Sequence, residues 1–209
     1  SLSPPAVPKS SVQSNTPPAE PKPGETEPAI DKRNRPGSSA EEEFRKAMGL
    51  SRQGAMAEAM AGFQAALRLD GRHLAARQGL LSLLVAQRRW AEAQAVAAEG
   101  LAQDPAQTGW AMALARLQVE QGQLAEAESV LAAHAARGTG NADYLAIHAL
   151  LLQKLQRPAA AADRYRAALV LRPDEGRWWY GLGQALDAGQ EAEAALEAFA
   201  KARQTGNLP

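Results

Sequence analysis

Apolar residues recur at helical spacing along most of this chain, in paired stretches separated by short polar turns. In residues 74–107 the first stretch contains Leu80, Leu83 and Leu84, and the second contains Trp90, Ala93, Val96 and Leu101. A turn near Gln87 to Arg89 separates them. The pattern predicts two antiparallel helices, a helical hairpin.

The same hairpin pattern repeats every 34 residues, with units that begin at residues 40, 74, 108, 142 and 176. One column of the alignment contains only alanine: Ala59, Ala93, Ala127, Ala161 and Ala195. A second column is small in four units: Ala66, Gly100, Ala168 and Ala202. Between them lies a bulky column: Phe63, Leu131, Tyr165 and Phe199. Small residues let two helices approach closely, so the alanines predict the contact ridge within each hairpin.

The fifth unit carries the spacing W-x-x-L-G-x-x-L, in Trp179, Leu182, Gly183 and Leu186. With the period of 34 residues, the chain resembles the tetratricopeptide-repeat (TPR) family. The resemblance implies an all-α fold, a right-handed superhelix of five helical hairpins over residues 40–209, with a concave surface lined by the first helices. Glycines in the turns (Gly54, Gly122) and prolines after second helices (Pro105, Pro173) support this register. The glycine-rich exit of the third unit, residues 137–141, predicts a looser joint.

Residues 1–39 contain nine of the thirteen prolines and few large aliphatic side chains. They cannot form a core, so we expect a disordered Pro-rich linker that acts as a tether or spacer.

In the whole chain Lys and Arg together number 23, as do Asp and Glu, so the formal net charge is zero. This balance disfavours nucleic acid as a partner.

The sequence contains no apolar run long enough to span a bilayer, no signal peptide and no cysteine. It begins at Ser1 without a methionine, which predicts a processed or excised form. A membrane anchor upstream of the linker is compatible with this start, and the absence of cysteine fits the periplasm and the cytosol equally.

No nucleotide-binding motif, nucleophile elbow or cluster of metal ligands is present, so we expect neither catalysis nor a cofactor nor a small-molecule substrate.

His73 is expected at the surface, at a repeat boundary. His134 takes the alanine place of its helix and His148 faces inward in the next first helix, so the two could approach each other across the joint between the third and fourth units. A zinc site there is disfavoured because further ligands are absent. Protonation of the pair near pH 6 is a hypothesis for loosening that joint.

Binding of a protein partner is the remaining function class. The TPR resemblance assigns the concave face to positions 2, 5, 9, 12 and 13 of each unit. The candidate groove residues are Phe44, Met48, Gln78, Ser82, Met112, Arg116, Lys154, Arg177, Tyr180 and Gln184. Arg116, Lys154 and Arg177 could pair with acidic groups of a partner. Met112 and Tyr180 supply apolar anchors. Phe44 and Met48 stand where chaperone-tail receptors of this family have lysine and asparagine, which argues against a co-chaperone.

Three segments, Ala40 to Ala47, Asp143 to Ala146 and Gly176 to Gly183, together with the ending Thr205 to Leu208, resemble one bacterial family. It comprises the MshN-like biogenesis proteins of mannose-sensitive haemagglutinin (MSHA) type IV pili. The resemblance implies a periplasmic repeat domain, tethered to the inner membrane through a segment upstream of Ser1, with pilus-assembly components as partners. Two alternatives stay open: a soluble cytosolic adaptor or regulator that binds a peptide or helix, and a repeat module attached to an upstream enzyme.

Overall fold

The computed structural model describes residues 36–206, with side chains from residue 39 onwards, as an array of helices without a strand in that range. The helices are α1 (Pro36–Arg52), α2 (Met56–Leu69), α3 (Leu74–Ala86), α4 (Trp90–Gln103), α5 (Thr108–Glu120), α6 (Leu124–Ala133), α7 (Ala135–Gly138), α8 (Ala142–Lys154), α9 (Pro158–Leu171), α10 (Gly176–Ala188) and α11 (Ala192–Thr205). The linker predicted for residues 1–39 lies almost entirely outside this part of the chain. None of the described helices is long and apolar enough to cross a membrane.

The helices pair into five hairpins, α1/α2, α3/α4, α5/α6, α8/α9 and α10/α11, which confirms the predicted fold class. Four of the five predicted unit starts coincide with the first residue of a helix: Leu74, Thr108, Ala142 and Gly176. The exception is α1, which begins at Pro36, four residues before the predicted start. A proline is tolerated there because the N–H groups of a first turn have no intrahelical partner.

The five intra-hairpin turns share one backbone feature at the same place in the 34-residue period. Gly54, Arg88, Gly122, Gln156 and Gln190 all have positive φ, between 56° and 82°. Glycine adopts this left-handed conformation at little cost, whereas a residue with a Cβ is strained in it. The turn geometry is therefore imposed by the hairpin, and only two of the five turns use the residue best suited to it.

The predicted alanine ridge is confirmed, since the five residues of the first alanine column are all 0–2% exposed. In the second column Ala66, Ala168 and Ala202 are completely buried. A Cβ on Gly100 would lie 2.5 Å from the ring of Trp110 in the next hairpin. Close packing at these columns holds the helices of a hairpin together and brings neighbouring hairpins into contact.

Neighbouring hairpins meet where an aromatic ring of one covers a glycine of the next. A Cβ on Gly79 in α3 would lie 2.7 Å from Cζ of Phe63 in α2, and a Cβ on Gly181 in α10 would lie 2.5 Å from Cζ of Tyr165 in α9. Both rings are at most 4% exposed. The rings therefore occupy the space that any larger residue at the glycine would need.

The third hairpin departs from the repeat at His134, which stands in the column that is small elsewhere. Helix α6 ends at Ala133, His134 caps it, and the chain continues as the short helix α7. Tyr144 of α8 packs into this break: a Cβ on Gly138 would lie 2.1 Å from its ring, and its hydroxyl donates to the backbone oxygen of Leu131. Burial raises the pKa of Tyr144 to about 12, so the hydroxyl remains a donor at physiological pH.

The expectation that His73 lies on the surface is wrong. Its side chain is only 12% exposed. Its Nδ1 accepts from the backbone N–H of Ala76 at the start of α3, and its Nε2 lies 3.2 Å from Glu41. Its ring packs 5.0 Å from that of Phe44. A helix cap that also contacts the preceding hairpin explains the burial.

The expected pairing of His134 with His148 is not found among the side-chain contacts of residues 39–206. His134 contacts its own helix through Nδ1, 2.9 Å from the backbone oxygen of Val130. His148 is 3% exposed, lies edge-on to Tyr144 at 6.5 Å, and has no hydrogen bond to either ring nitrogen in the described structure. The two histidines therefore differ in their contacts.

We predict that an alanine at a ring-covered glycine destabilises the protein. Gly79→Ala forces a methyl group against the buried ring of Phe63, and we expect a net loss of about 1–2 kcal/mol despite the higher helix propensity of alanine. Gly109→Ala is the matched control, because a Cβ there has no neighbour within 4 Å. It should leave stability unchanged or raise it by up to about 1 kcal/mol. Urea unfolding measures both, and equal effects would contradict the packing described.

Acid should destabilise the fold through His148. Burial first, and then the charge of Arg164, lowers its pKa below the usual 6.5, although nearby Glu128 acts in the opposite direction. The unfolded chain therefore binds a proton near pH 6.5 and the folded chain only at lower pH. The free energy of unfolding is therefore highest above about pH 6.5 and decreases as the pH falls. It levels off below the lowered pKa of His148.

His148→Leu should abolish this part of the pH dependence, whereas His134→Gln should retain it. The measurement is the free energy of unfolding of each variant between pH 7.5 and 5. Parallel curves for the wild type and His148→Leu would show that His148 does not carry the effect.

Candidate protein-binding groove

The first helices of successive hairpins line a series of shallow depressions, which together we call the groove. Its first part lies between α3 and α5 and has a volume of about 350 Å³. Leu81 and the 37% exposed Val85 give this part an apolar surface, and Gln78 and Ser82 contribute polar groups. No charged side chain lines it.

The second part of the groove lies between α5 and α8 and has a volume of about 340 Å³. Val119, Ile147 and Leu150 form its apolar surface, with Leu150 half exposed at 50%. Arg116 and Lys154 flank these aliphatic side chains. The combination of an exposed aliphatic residue with two cations differs from the neutral first part.

The third part extends from α5 and α8 to α10, has a volume of about 430 Å³, and shares Arg116, Ile147 and Leu150 with the second. Tyr180 lies 37% exposed at its surface, and its ring packs 5.5 Å from that of Phe199. Because the two parts share residues, a bound segment could cover both without leaving the protein surface.

A hydrogen-bond chain fixes the base of this third part. The hydroxyl of Tyr165 donates to Oε1 of Gln153 at 2.9 Å, and Nε2 of Gln153 donates to the backbone oxygen of Gly181 at 3.0 Å. Burial raises the pKa of Tyr165 to about 12, which keeps this donor protonated. The amide of Gln153 thereby links the ring-covered glycine of α10 to α8 and α9.

Seven of the ten predicted groove residues line these depressions: Gln78, Ser82, Arg116, Lys154, Arg177, Tyr180 and Gln184. The other three, Phe44, Met48 and Met112, are half-buried and pack against the core. Phe44 has its ring 5.9 Å from Phe63 as well as against His73. These three lie on the first helices, as predicted, but outside the linings of the three depressions.

Sequence reasoning missed the two aliphatic residues at the centre of the groove, Ile147 and Leu150. Leu150 occupies position 9 of its unit, the place that supplied Ser82, Arg116 and Gln184, so the positional rule could have identified it. Ile147 occupies position 6, where other units have Gly79 and Gly181. The positional rule does not include that place.

The groove between α5 and α10 carries more unpaired positive than negative charge. Arg116 and Lys154 form no ion pair within residues 39–206, whereas Arg177 lies 3.7 Å from Glu175. On the acidic side, Asp143 is paired with Arg172, and Glu120 stands beside the cations. An acidic partner would therefore find two available cations in this half of the groove.

No group of three or more His, Asp or Glu side chains that could hold a metal ion occurs in the described part of the chain.

Comparisons with known proteins agree with this architecture. Two family models, both described as tetratricopeptide repeat, match residues 84–151 and residues 148–209. The chain therefore carries tetratricopeptide repeats. None of the curated proteins matches it.

Solved structures of TPR proteins share the fold. The crystal structure of MamA protein has a TM-score of 0.71 and 15% identity, covering 81% of this chain and 92% of MamA. The structure of YrrB, described as a TPR protein with an unusual peptide-binding site, has a TM-score of 0.65 and 20% identity, covering 78% of this chain and 84% of YrrB. At these identities the likeness extends to the fold alone.

The groove surface predicts that two adjacent leucines differ in their effect on stability. Leu150→Ala removes a half-exposed side chain and should lower the free energy of unfolding by less than about 1 kcal/mol. Leu151 is only 2% exposed, so Leu151→Ala should lower it by about 2–5 kcal/mol. Thermal unfolding of the two variants measures the difference. A cost at Leu150 as large as that at Leu151 would place Leu150 in the core and remove it from the groove.

Proposed function

We propose that this protein is a non-catalytic scaffold for protein–protein interaction, and that its groove holds a segment of a protein partner. The observation that carries this proposal is the half-exposed Leu150, with Arg116 and Lys154 beside it on neighbouring first helices. An exposed aliphatic side chain in a concave surface gains free energy when a partner covers it. The flanking cations would orient that partner.

The proposed ligand is a segment with an aliphatic side chain and nearby carboxylates. The aliphatic group would cover Leu150 and Ile147, and the carboxylates would reach Arg116 and Lys154. Tyr180, in the adjoining third part, offers a larger contact area at a low cost in side-chain entropy. Because YrrB, which shares this fold, is described as having a peptide-binding site, a peptide is a reasonable first model for the ligand.

We further propose that the scaffold serves type IV pilus assembly of the MSHA kind, in the periplasm, with a tether to the inner membrane upstream of Ser1. The support is the resemblance of the segment Arg177-Trp178-Trp179 and its continuation to Gly183. Two of these residues take part in packing at the start of α10. Arg172 covers the ring of Trp178 at 4.4 Å, and Nε1 of Trp179 donates to the backbone oxygen of Pro173 at 2.7 Å.

A Pro-rich tether would suit this role physically. A flexible spacer raises the effective concentration of a groove near membrane-bound partners without fixing its orientation. Residues 1–39 have the composition of such a spacer.

Photo-crosslinking in cells tests both levels of the proposal. A photoreactive amino acid replaces Arg116 or Tyr180, one at a time, in the full-length protein, and mass spectrometry identifies the captured chain. Glu126 is the matched control because it is exposed in the second helix of its hairpin and lies outside the groove linings. Capture of pilus-assembly components from the groove positions, and not from Glu126, is the expected result.

Capture of cytosolic proteins alone would contradict the pilus role and the periplasmic location, and would favour the cytosolic adaptor. Equal capture from Glu126 and from the groove positions would contradict the groove itself.

Once a partner is identified, Tyr180→Ala should weaken its binding by about 1–2 kcal/mol, roughly 5- to 30-fold, because an exposed aromatic anchor is lost. Arg116→Ala should weaken binding less at high salt than at low salt, since the contact is electrostatic. Neither variant should lower the thermal stability appreciably. Isothermal titration at two salt concentrations, alongside thermal unfolding, provides the measurement. Unchanged affinity in both variants would exclude the groove as the binding site.

A further inference from the structure

A second concavity lies away from the groove, between α8 and the helices α6, α7 and α9, and has a volume of about 280 Å³. We call it the outer recess. It shares no lining residue with the three parts of the groove. Its apolar lining is Ala132, Ala135, Leu152 and Ala160, and its polar lining is Glu128, His148, Arg157, Asp163 and Arg164.

The outer recess occurs where the third hairpin departs from the repeat. Two of its lining residues, Ala132 and Ala135, stand on either side of His134, at which α6 ends and α7 begins. The other four second helices continue through the corresponding position. The recess is therefore specific to the third hairpin and is not a feature of every 34-residue unit.

Two polar side chains of the outer recess make no hydrogen bond, although Nε2 of His148 lies 3.9 Å from Oε1 of Glu128. Both ring nitrogens of His148 are buried without a hydrogen bond in the described structure. Arg164 is half-buried and forms no ion pair or side-chain hydrogen bond with any of residues 39–206. A half-buried guanidinium normally has a carboxylate or other acceptor beside it, because its removal from water is costly.

The four charged side chains of the lining sum to zero, but the other three each have a partner of opposite charge, and the partner of Asp163, Arg166, lies outside the lining. Arg157 lies 3.2 Å from Glu128, and Asp163 lies 3.2 Å from Arg166. Arg164 is thus the one charged side chain of the lining without an ion pair among residues 39–206. A single carboxylate could pair with Arg164, whereas a phosphate dianion would be repelled more strongly by Glu128 and Asp163.

We propose that the outer recess binds a small aliphatic carboxylate, with the guanidinium of Arg164 holding the carboxylate and Leu152 and the three alanines contacting the alkyl part. Guanidinium and carboxylate match in planar, two-point geometry. The volume of about 280 Å³ lies just below the range of pockets for drug-sized ligands, which fits a short-chain acid or the last residue of a polypeptide.

His148 would respond to the bound carboxylate. The charges that face it are Arg157, Asp163 and Arg164 from the α9 side and Glu128 from α6, and Tyr144 lies beside it on α8. With the recess empty, burial and the charge of Arg164 lower the pKa of His148. A carboxylate on Arg164 would offset that charge and raise the pKa, so by linkage its affinity should increase as the pH falls.

Nuclear magnetic resonance of the histidine rings tests the proposal. The folded protein is titrated with sodium butyrate at constant ionic strength, set with sodium chloride, and His148→Gln assigns the ring signals. We expect the His148 signals to shift and saturate with half-saturation below about 10 mM, an affinity within reach of a ligand of this size. The signals of His73 should not move. Binding at pH 6 should be several-fold tighter than at pH 7.5.

Arg164→Gln should abolish the saturable shift, and Arg164→Lys, which keeps the charge but not the planar fork, should weaken it. Arg137→Gln is the control, since it removes one exposed cation from the same joint without touching the recess. Retention of the shift in Arg164→Gln, or equal shifts of all three histidines, would overturn the proposal.

The source of the carboxylate is distinguished by a second pair of probes, acetyl-alanyl-leucine and its amide. Saturation by the free acid but not by butyrate identifies the end of a polypeptide as the ligand and supports the proposal. Saturation by butyrate supports a free acid. Failure of both acids to saturate overturns the carboxylate site. None of these outcomes involves the groove, so the scaffold proposal is tested independently.

Discussion

The array depends on how closely two consecutive hairpins can approach, and this distance is set by the pair of residues that meet at each joint. Where the second helix presents an aromatic ring, the first helix of the next hairpin presents a glycine, as with Phe63 above Gly79 and Tyr165 above Gly181. The same two places of the period hold Ala97 with Ala113 at the second joint, and Leu131 with Ile147 at the third. A ring thus pairs with glycine at the first and fourth joints, whereas these two places hold two alanines at the second joint and two large aliphatic residues at the third. At those two joints the next hairpin supplies the ring instead, since Trp110 covers Gly100 and Tyr144 covers Gly138. This complementarity keeps the joints closely packed along the stack.

The joints also shape the groove. Gly181 and Ile147 belong to joint pairs and at the same time line the groove. The ring of Tyr165, which packs against Gly181, is joined to the groove backbone through Gln153. A change at a joint should therefore alter the relative positions of Arg116, Leu150 and Tyr180, and so affect binding without touching a partner. The available cations and the exposed leucine give the groove its chemistry, and the joints give it its form.

Much of the fold could be predicted from the sequence because the repeat samples the same physical constraint five times. The alanine columns and the helical spacing define the hairpins, and the positional rule placed seven of the ten groove candidates in the depressions. Phe44, Met48 and Met112 lie outside these depressions, half-buried against the core, since a position on the first helix does not reveal how far a long side chain turns inward. It also omitted Ile147, which lies at a joint and in the groove at once.

The third joint could not be predicted in the same way. A histidine in a column of small residues signals a departure, but the sequence does not reveal that the helix breaks there, that Tyr144 packs against Gly138 in the break, or that His134 contacts the backbone of its own helix. Those outcomes depend on the competition between local helix propensity and tertiary packing. The outer recess follows from the same departure and had no signal in the repeat register. Sequence reasoning works here where the units agree and fails where one unit differs.

The claim that paired residue sizes determine the joints is tested most directly by a double-mutant cycle at Tyr165 and Gly181. In the wild type, Gly181→Ala should destabilise the protein because the new methyl group meets the ring of Tyr165. In a Tyr165→Ala background, which leaves room, the same change should become stabilising through the helix propensity of alanine and would recreate the pair found at Ala97 and Ala113. A reversal of sign in the free energy of unfolding is the predicted result. An equal effect of Gly181→Ala in both backgrounds would show that the two sites are independent and would contradict the account.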